Sequence, residues 1–300
     1  MKWKRNTGFD QIEDRRGQGG GLPDVFGGGS RSGGGIPIPI PSGKGGGLGG
    51  LIVLVVLFLL FSGVLGGGGI PDLGGLSGGG GAPAEPGGTL NPQSETDQQL
   101  AAIVADIQAF WGESFSASGR DYPETKLVLF DGSTQSDCGP ASSATGPFYC
   151  PADQKVYLDL AFFDELKSRF GASGGDFAMA YVVAHEFGHH IQTVLGISEE
   201  VQRLAAADES RRNDLSVRQE LQADCMAGVW ANSAQSDLEA GDIDEALSAA
   251  AAVGDDRIQE KTTGRIDPEG WTHGSAEQRV AWFTTGYRSG NPDDCDTFAQ

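Results

Sequence analysis

The sequence predicts a protein of the α+β class, mostly helical with a small β-sheet, preceded by a disordered N-terminus and one transmembrane helix. Three observations support this. Thirty of the 48 glycines precede residue 93, and a long aliphatic run lies inside that glycine-rich part. The rest of the chain alternates apolar patterns of helical period with short β-branched or aromatic runs. The expected organisation is a segment at 1–47, a span at 48–66, a tether at 67–94 and a domain at 95–300.

The first segment, residues 1–47, is low in complexity and rich in Gly and Pro. It holds seven Lys or Arg against four acidic residues. A segment of this kind buries too little apolar surface to offset its conformational entropy. We therefore expect residues 1–47 to be disordered.

The aliphatic run extends from Leu51 to Leu65, and no charged residue occurs between Lys44 and Asp72. With residues 48–50 it approaches the ~20 residues that cross a bilayer as a helix. Alternatives are a core strand or a cleaved signal peptide, but the length of the run and the polar segment before it favour an uncleaved anchor. The positive-inside rule then places residues 1–47 in the cytoplasm and the domain outside. The glycine- and proline-rich residues 67–94 form a flexible tether.

The domain carries nearly all of the acidic excess. The chain has a formal net charge of −20, although residues 1–47 are net positive. A strongly acidic domain argues against nucleic acid as a partner, because nucleic-acid binding relies on neutralising phosphates. The simplest role of this charge is solubility.

Several elements of the domain follow from pattern and capping signals. Helices are expected at 96–111, 161–170, 242–253 and 276–287, the third capped by Asp242 and the last by a Ser275–Gln278 capping box. Short strands are expected at 126–130 and 155–159. One of these strands would offer its edge to an extended substrate.

The most informative pattern is H-E-x-x-H at residues 185–189, in an apolar helix expected from Phe177 to Leu195 between a capping Asp176 and Gly196. Residues i and i+4 share one face of a helix, so His185 and His189 can bind a single metal ion. Glu186 can then act on a metal-bound water. The alternative is a pair of ordinary surface histidines, but a buried helix requires partners for such groups. His190 lies about 100° around the helix and is expected to be structural.

A catalytic zinc site needs a third protein ligand, for which Cys225, His273 and several carboxylates are candidates. The best is Glu220, on a helix expected to start at a Ser216–Gln219 capping box and run to about residue 234. Asp224, at i+4, can accept the other ring N–H of a ligand histidine. The alternative is that both carboxylates are merely solvated.

These motifs resemble those of a known family. HEFGHH followed by ELQADC is similar to the Glu-type zincins. More closely, the segments GPFYCPAD (146–153), VAHEFGHHIQ (183–192), SVRQELQADCMAGVW (216–230) and THGSAEQR (272–279) resemble the bacterial neutral zinc metallopeptidases with one N-terminal membrane span. Trp3 and the segment 13–16 match as well, so the resemblance covers nearly the full length.

The resemblance implies a zincin-like domain in which His185, His189 and Glu220 bind Zn²⁺ and Glu186 is the general base. It implies a peptide or protein substrate and a single-pass protein of the bacterial inner membrane. His273, in a loop before the last helix, is a candidate donor to the oxyanion. A purely structural turn histidine is an equal alternative.

All four cysteines follow the apolar run, which suggests disulfides in an oxidising compartment. Four cysteines allow three pairings. Because Cys138 and Cys150 flank a short turn-rich loop, we pair these two, which leaves Cys225 with Cys295. Cys225 as a thiolate ligand or nucleophile is the less favoured alternative.

The leading functional hypothesis is therefore a membrane-anchored zinc peptidase facing outward. Two alternatives remain: a non-catalytic, zinc-stabilised scaffold for envelope proteins, and a zinc amidase acting on cell-wall peptides. A scaffold would not need Glu186, because a purely structural site has no open position for a base to serve.

Overall fold

The computed structural model describes residues 1–3, 7–17 and 90–299. Within these residues the chain forms helices α1 (Glu95–Ala117), α2 (Ala161–Ser168), α3 (Asp176–Val194), α4 (Ile197–Ala207), α5 (Arg212–Ser233), α6 (Asp242–Ala252), α7 (Asp255–Thr263) and α8 (Ala276–Ser289). The strands are β1 (Ile12–Asp14), β2 (Leu127–Leu129), β3 (Ser133–Ser136), β4 (Gly139–Ser142), β5 (Phe148–Cys150) and β6 (Lys155–Leu158). The mostly helical α+β prediction agrees with this architecture.

Four strands form one mixed sheet in the order β1-β2-β6-β5. Strands β1, β2 and β6 are parallel, and β5 runs antiparallel to β6. Strands β3 and β4 form a separate antiparallel hairpin. The expected strands at 126–130 and 155–159 correspond to β2 and β6, which lie inside the sheet. The expectation that one of them offers its edge is therefore wrong, since the edge strands of this sheet are β1 and β5.

Helix α3 forms the centre of the core, and 15 of its 19 residues are buried. It packs against α5, α6, α1 and the sheet. The helix begins one residue earlier than expected, because Gly175 occupies the N-cap with a φ of 105°. Asp176 is therefore not the N-cap, and its carboxylate accepts a hydrogen bond from the indole of Trp3 at 2.7 Å. The helix ends at Val194, two residues before the predicted stop at Gly196.

Helix α5 begins at Arg212, four residues before the predicted Ser216. The preceding turn is helical because Leu215 packs into the interior with 1% of its surface exposed. The Ser216 hydroxyl donates instead to the Thr272 carbonyl at 2.9 Å. The predicted capping box at 216–219 is therefore wrong, whereas the one at the start of α8 is confirmed. Asp242 is likewise the first residue of α6, after Gly241 at the N-cap.

Small residues let α5 and α8 approach closely. A Cβ added at Gly228 would overlap the carbonyl of Phe283, and one added at Gly286 would overlap the carbonyl of Cys225. Gly228 therefore faces α8. This contact brings α8 against the helix that carries Glu220.

The N-terminal segment is part of the folded domain. Residues 9–11 form a 3₁₀ turn, and β1 pairs in parallel with β2, with Ile12 opposite Leu127. Ile12 is 8% exposed and belongs to the main hydrophobic core. The predicted disorder of residues 1–47 is therefore wrong for residues 7–17. Leu90 is also in the core, so the domain begins before residue 95.

The predicted span at 48–66 and most of the tether lie outside the described residues. No helix within the described ranges has the length and apolar character of a membrane span. The expected topology, with residues 1–47 in the cytoplasm and the domain outside, stays a prediction.

Candidate metal centre

Helix α3 places His185 and His189 on one face, as the i, i+4 spacing predicts. Their ring centroids are 4.8 Å apart and the ring planes are nearly perpendicular, at 87°. Glu186 lies between them in sequence and is buried, with 7% exposed. The three side chains are held by a helix that is itself packed on several sides, so their positions are preorganised.

Helix α5 brings Glu220 to both histidines. Its Oε2 lies 3.1 Å from Nε2 of His185 and its Oε1 lies 3.4 Å from Nε2 of His189. The two helices can come this close because Gly188 has no side chain. A Cβ added at this position would lie only 3.0 Å from the Ala223 backbone. One ligand atom from each of the three side chains lies within 4.8 Å of the others. The structure therefore brings the three predicted ligands together.

The donor set fits zinc. Nδ1 of His185 lies 2.8 Å from the Asp224 carboxylate, and Nδ1 of His189 lies 2.8 Å from Oε1 of Gln192. Both acceptors favour a proton on Nδ1, which leaves each Nε2 directed at Glu220. Two imidazole nitrogens and one carboxylate are the ligands of many catalytic zinc sites.

Asp224 has a complete set of buried partners. The Tyr181 hydroxyl donates to its Oδ1 at 2.6 Å, and Arg279 donates to Oδ2 from Nε at 2.8 Å and to Oδ1 from Nη2 at 3.0 Å. Asp224 is 0% exposed and Arg279 4%. A buried carboxylate is retained as a charge only with such pairing. Arg279 thus keeps Asp224 ionised for its contact with His185.

His189 is supported by neutral groups instead. The Gln192 side-chain amide donates to the Gln219 carbonyl at 2.7 Å and to Oε1 of Gln222 at 3.0 Å. Gln222 in turn donates to the Cys295 carbonyl at 3.0 Å. His189 is therefore connected through two glutamines to the C-terminal part of the chain.

The carboxylates of the centre differ in their electrostatics. Burial raises the pKa of Glu186, and the charges of His185 and His189 oppose this without cancelling it. Burial would also raise the pKa of Glu220, but the charge of His189 and hydrogen bonds from both histidines hold it well below its ordinary value. Arg279 likewise outweighs the burial of Asp224 and lowers its pKa to about 2.

The carboxylates of Asp224 and Glu220 shift the pKa of His185. Burial lowers its pKa, but the charge and hydrogen bond of Asp224 and the hydrogen bond of Glu220 raise it to about 10. Surroundings that favour positive charge on this imidazole also favour a divalent cation at its Nε2.

His273 lies in the loop before α8, as predicted, with 27% of its side chain exposed. Its Nδ1 is 3.2 Å from Oδ1 of Asp255, and Oδ2 of Asp255 accepts the backbone N–H groups of residues 272–274 at 2.7–3.1 Å. Burial lowers the pKa of His273, but Asp255 outweighs it and raises the pKa, with a further contribution from Glu220. His273 is thus fixed in orientation beside the three-residue cluster.

The remaining predicted residues are also accounted for. Ring nitrogens of His190 lie 2.7 Å from the Pro123 carbonyl and 3.2 Å from the Tyr149 hydroxyl, a structural arrangement. The disulfide pairing is confirmed: Cys138 is bonded to Cys150 and Cys225 to Cys295. Cys225 is therefore not a ligand or nucleophile.

Sequence reasoning missed Tyr181, Arg279 and Asp255. Tyr181 precedes His185 by four residues, so its helix position was a usable signal. Arg279 closes the THGSAEQR segment, but only the tertiary fold brings it to Asp224, 55 residues earlier. Asp255 opens a helix that was not predicted.

Comparison with known proteins agrees with this geometry. A family model described as "Putative neutral zinc metallopeptidase" matches residues 1–298. The chain is 44% identical over 307 residues to "Uncharacterized protein YpfJ" of Escherichia coli (strain K12), covering 100% of this chain and 99% of that protein. It is 52% identical over 190 residues to "Uncharacterized protein Rv2575" of Mycobacterium tuberculosis (strain H37Rv), covering 59% of this chain and 64% of that protein. No solved structure matches the chain.

Proposed function

Since this chain belongs to the family described as putative neutral zinc metallopeptidases, we propose that it is a membrane-associated, zinc-dependent peptidase that hydrolyses peptide bonds outside the cytoplasm. One observation carries the proposal. Nε2 of His185 and Nε2 of His189 both lie within 3.4 Å of the Glu220 carboxylate, with Glu186 on the same helix. A purely structural zinc site closes all four positions with protein ligands, whereas here three converge beside a buried glutamate.

In the proposed reaction His185, His189 and Glu220 hold the zinc ion. Bound zinc would lower the pKa of a coordinated water toward ~7 and polarise the substrate carbonyl. Glu186 takes the proton from the attacking water and returns it to the leaving amine. His273, oriented by Asp255, donates a hydrogen bond to the oxyanion.

The proposed location outside the cytoplasm is supported by the two disulfides. Disulfides persist in oxidising compartments and are rare in the reducing cytosol. The Cys225–Cys295 bond also connects the helix that carries Glu220 to the segment that follows α8. Membrane contact is proposed from the apolar run Leu51–Leu65.

The decisive experiment combines metal analysis with turnover of an unstructured protein such as casein. The purified full-length protein is expected to hold one zinc per chain and to cleave the substrate. Glu186→Gln should keep the zinc and lose about 10²–10⁴-fold in kcat, the usual contribution of a general acid–base group. Glu113→Gln, at an exposed glutamate of α1, is the matched control and should behave like the parent.

The same variant and further substrates separate the alternative functions. If Glu186→Gln restores every cellular phenotype of a deletion strain, the chain acts as a zinc-stabilised scaffold. If cell-wall peptides are the only substrates cleaved, it is an amidase. Protein without stoichiometric zinc would contradict all three functions.

A further inference from the structure

The N-terminal strand is held in the sheet by its backbone. Residues 12–14 pair in register with residues 127–129 of β2, and the Arg15 N–H donates to the Leu129 carbonyl at 2.7 Å. A Cβ added at Gly8 would overlap the carbonyl of Ala101 in α1, so the preceding turn also lies directly on the domain.

Side chains fasten the same segment. Arg16 donates to Asp14 and to Asp97 of α1, each at 2.8 Å from Nη2, with a second contact to Asp97 from Nη1 at 3.0 Å. Asp97 has 3% and Asp14 7% of its side chain exposed. Glu13 pairs with Lys155 of β6 at 2.8 Å. Separation of β1 would leave the buried Asp97 carboxylate without its cation, which is costly.

The apolar run Leu51–Leu65 lies in the chain between these two paired regions. One crossing of a bilayer within residues 18–89 would put β1 and β2 on opposite sides. The pairing and the single crossing therefore exclude each other.

A further observation favours the pairing. Arg15 and Arg16 contributed to the positive charge that predicted a cytoplasmic N-terminus, but both are engaged in ion pairs within the domain.

We infer that residues 7–17 and 90–299 lie on the same side of the membrane. The membrane contact is taken from the proposed function, but the inference is independent of peptidase activity.

The test compares two introduced thiols in the full-length chain. Asp10→Cys labels the N-terminal turn and Ser116→Cys labels α1; both positions are exposed. Spheroplasts are treated with a membrane-impermeant maleimide, before and after permeabilisation. The parent chain, with its four cysteines in disulfides, gives the background, and labelling in denaturant verifies that each new thiol is reactive.

We expect both thiols to be labelled equally in intact spheroplasts. Labelling of Ser116→Cys in intact spheroplasts, with Asp10→Cys labelled only after permeabilisation, would overturn the inference. Labelling of both only after permeabilisation would support it while contradicting the proposed location outside the cytoplasm. The two proposals therefore fail in different ways.

Discussion

Two arginines form ion pairs with buried aspartates in different parts of the molecule. Arg279 joins α8 to Asp224 at the metal centre, and Arg16 joins the N-terminal strand to Asp97 of α1. Each bridges residues more than 50 positions apart. Arg279 has 5% of its side chain exposed, whereas Arg16 has 24%.

The difference in burial separates two uses of an ion pair. At Asp224 the arginine sustains a charge that orients a ligand histidine, so its loss should impair both stability and metal binding. At Asp97 the arginine attaches the N-terminal strand to α1, which lies far from it in the sequence. Loss of this arginine should therefore affect only the docking of the strand on the domain. Burial determines how much stability is lost when either arginine is removed, because an unpaired charge costs more free energy in the interior than near water.

The largest effect is expected for Arg279→Met. The variant leaves the Asp224 carboxylate buried without its cation and should lower the free energy of unfolding by about 3–5 kcal/mol. Denaturant titration of the purified protein measures this. Adding Asp224→Asn should recover part of the loss, because the unpaired charge is then gone. A double variant less stable than Arg279→Met would contradict the assignment.

A smaller effect is expected for Asp224→Asn alone, measured as zinc affinity by competition with a chelator. Loss of the carboxylate partner of a ligand histidine typically weakens metal binding by about 10–100-fold. Gln192→Ala, which removes the neutral partner of His189, is the matched comparison and should cost less. Equal losses in the two variants would show that the charge on Asp224 is unimportant.

Arg16→Gln should destabilise the protein by about 2 kcal/mol, as expected for charge-assisted hydrogen bonds to partly buried carboxylates. Its zinc content and casein turnover should equal those of the parent, since the acidic partners of Arg16 are Asp14 and Asp97. Faster amide exchange at residues 12–16 would report the loosened strand. Arg203→Gln removes an exposed pair with Glu200 and should leave the Tm unchanged; a loss of zinc in Arg16→Gln would contradict the separation of the two regions.

The smallest effect is a dependence of strand docking on pH. Burial raises the pKa of Asp14, but the hydrogen bonds of Arg16 outweigh it and lower the pKa below 3.8. A carboxyl group whose pKa is lower in the folded state than in the unfolded state stabilises the fold at pH values above its unfolded-state pKa. That contribution is lost as the pH falls through the folded-state pKa. Amide protection at residues 12–16 should therefore weaken as the pH falls below 3.8. Asp14→Asn should weaken this dependence, although Glu13 of the same strand, whose pKa is also lowered, still contributes; an unchanged profile would assign the dependence to another group.

The sequence predicted the metal centre better than its surroundings. His185 and His189 are linked by helical periodicity, and Glu220 and Asp224 by the same spacing on a second helix, so local rules sufficed. Pairing of β1 with residues 127–129 could not be predicted in this way, because a three-residue strand carries almost no pattern and its partner lies over 100 residues away.

Tertiary contacts also overrode local signals within the domain. Ser216 has the residue type of an N-cap, but burial of Leu215 extends the helix past it and its hydroxyl is used at Thr272. The disulfides were predictable because only four cysteines were available and one short loop favoured a particular pair.

The contacts that complete the centre have a consequence for biosynthesis. The chain is made from its N-terminus, so His185 and Glu220 emerge before Arg279 and Cys295 have been synthesised. Until then Asp224 has no cation and the glutamine connection from His189 has no anchor. A nascent chain on the ribosome would therefore carry an incomplete metal centre until Arg279 and Cys295 have been added.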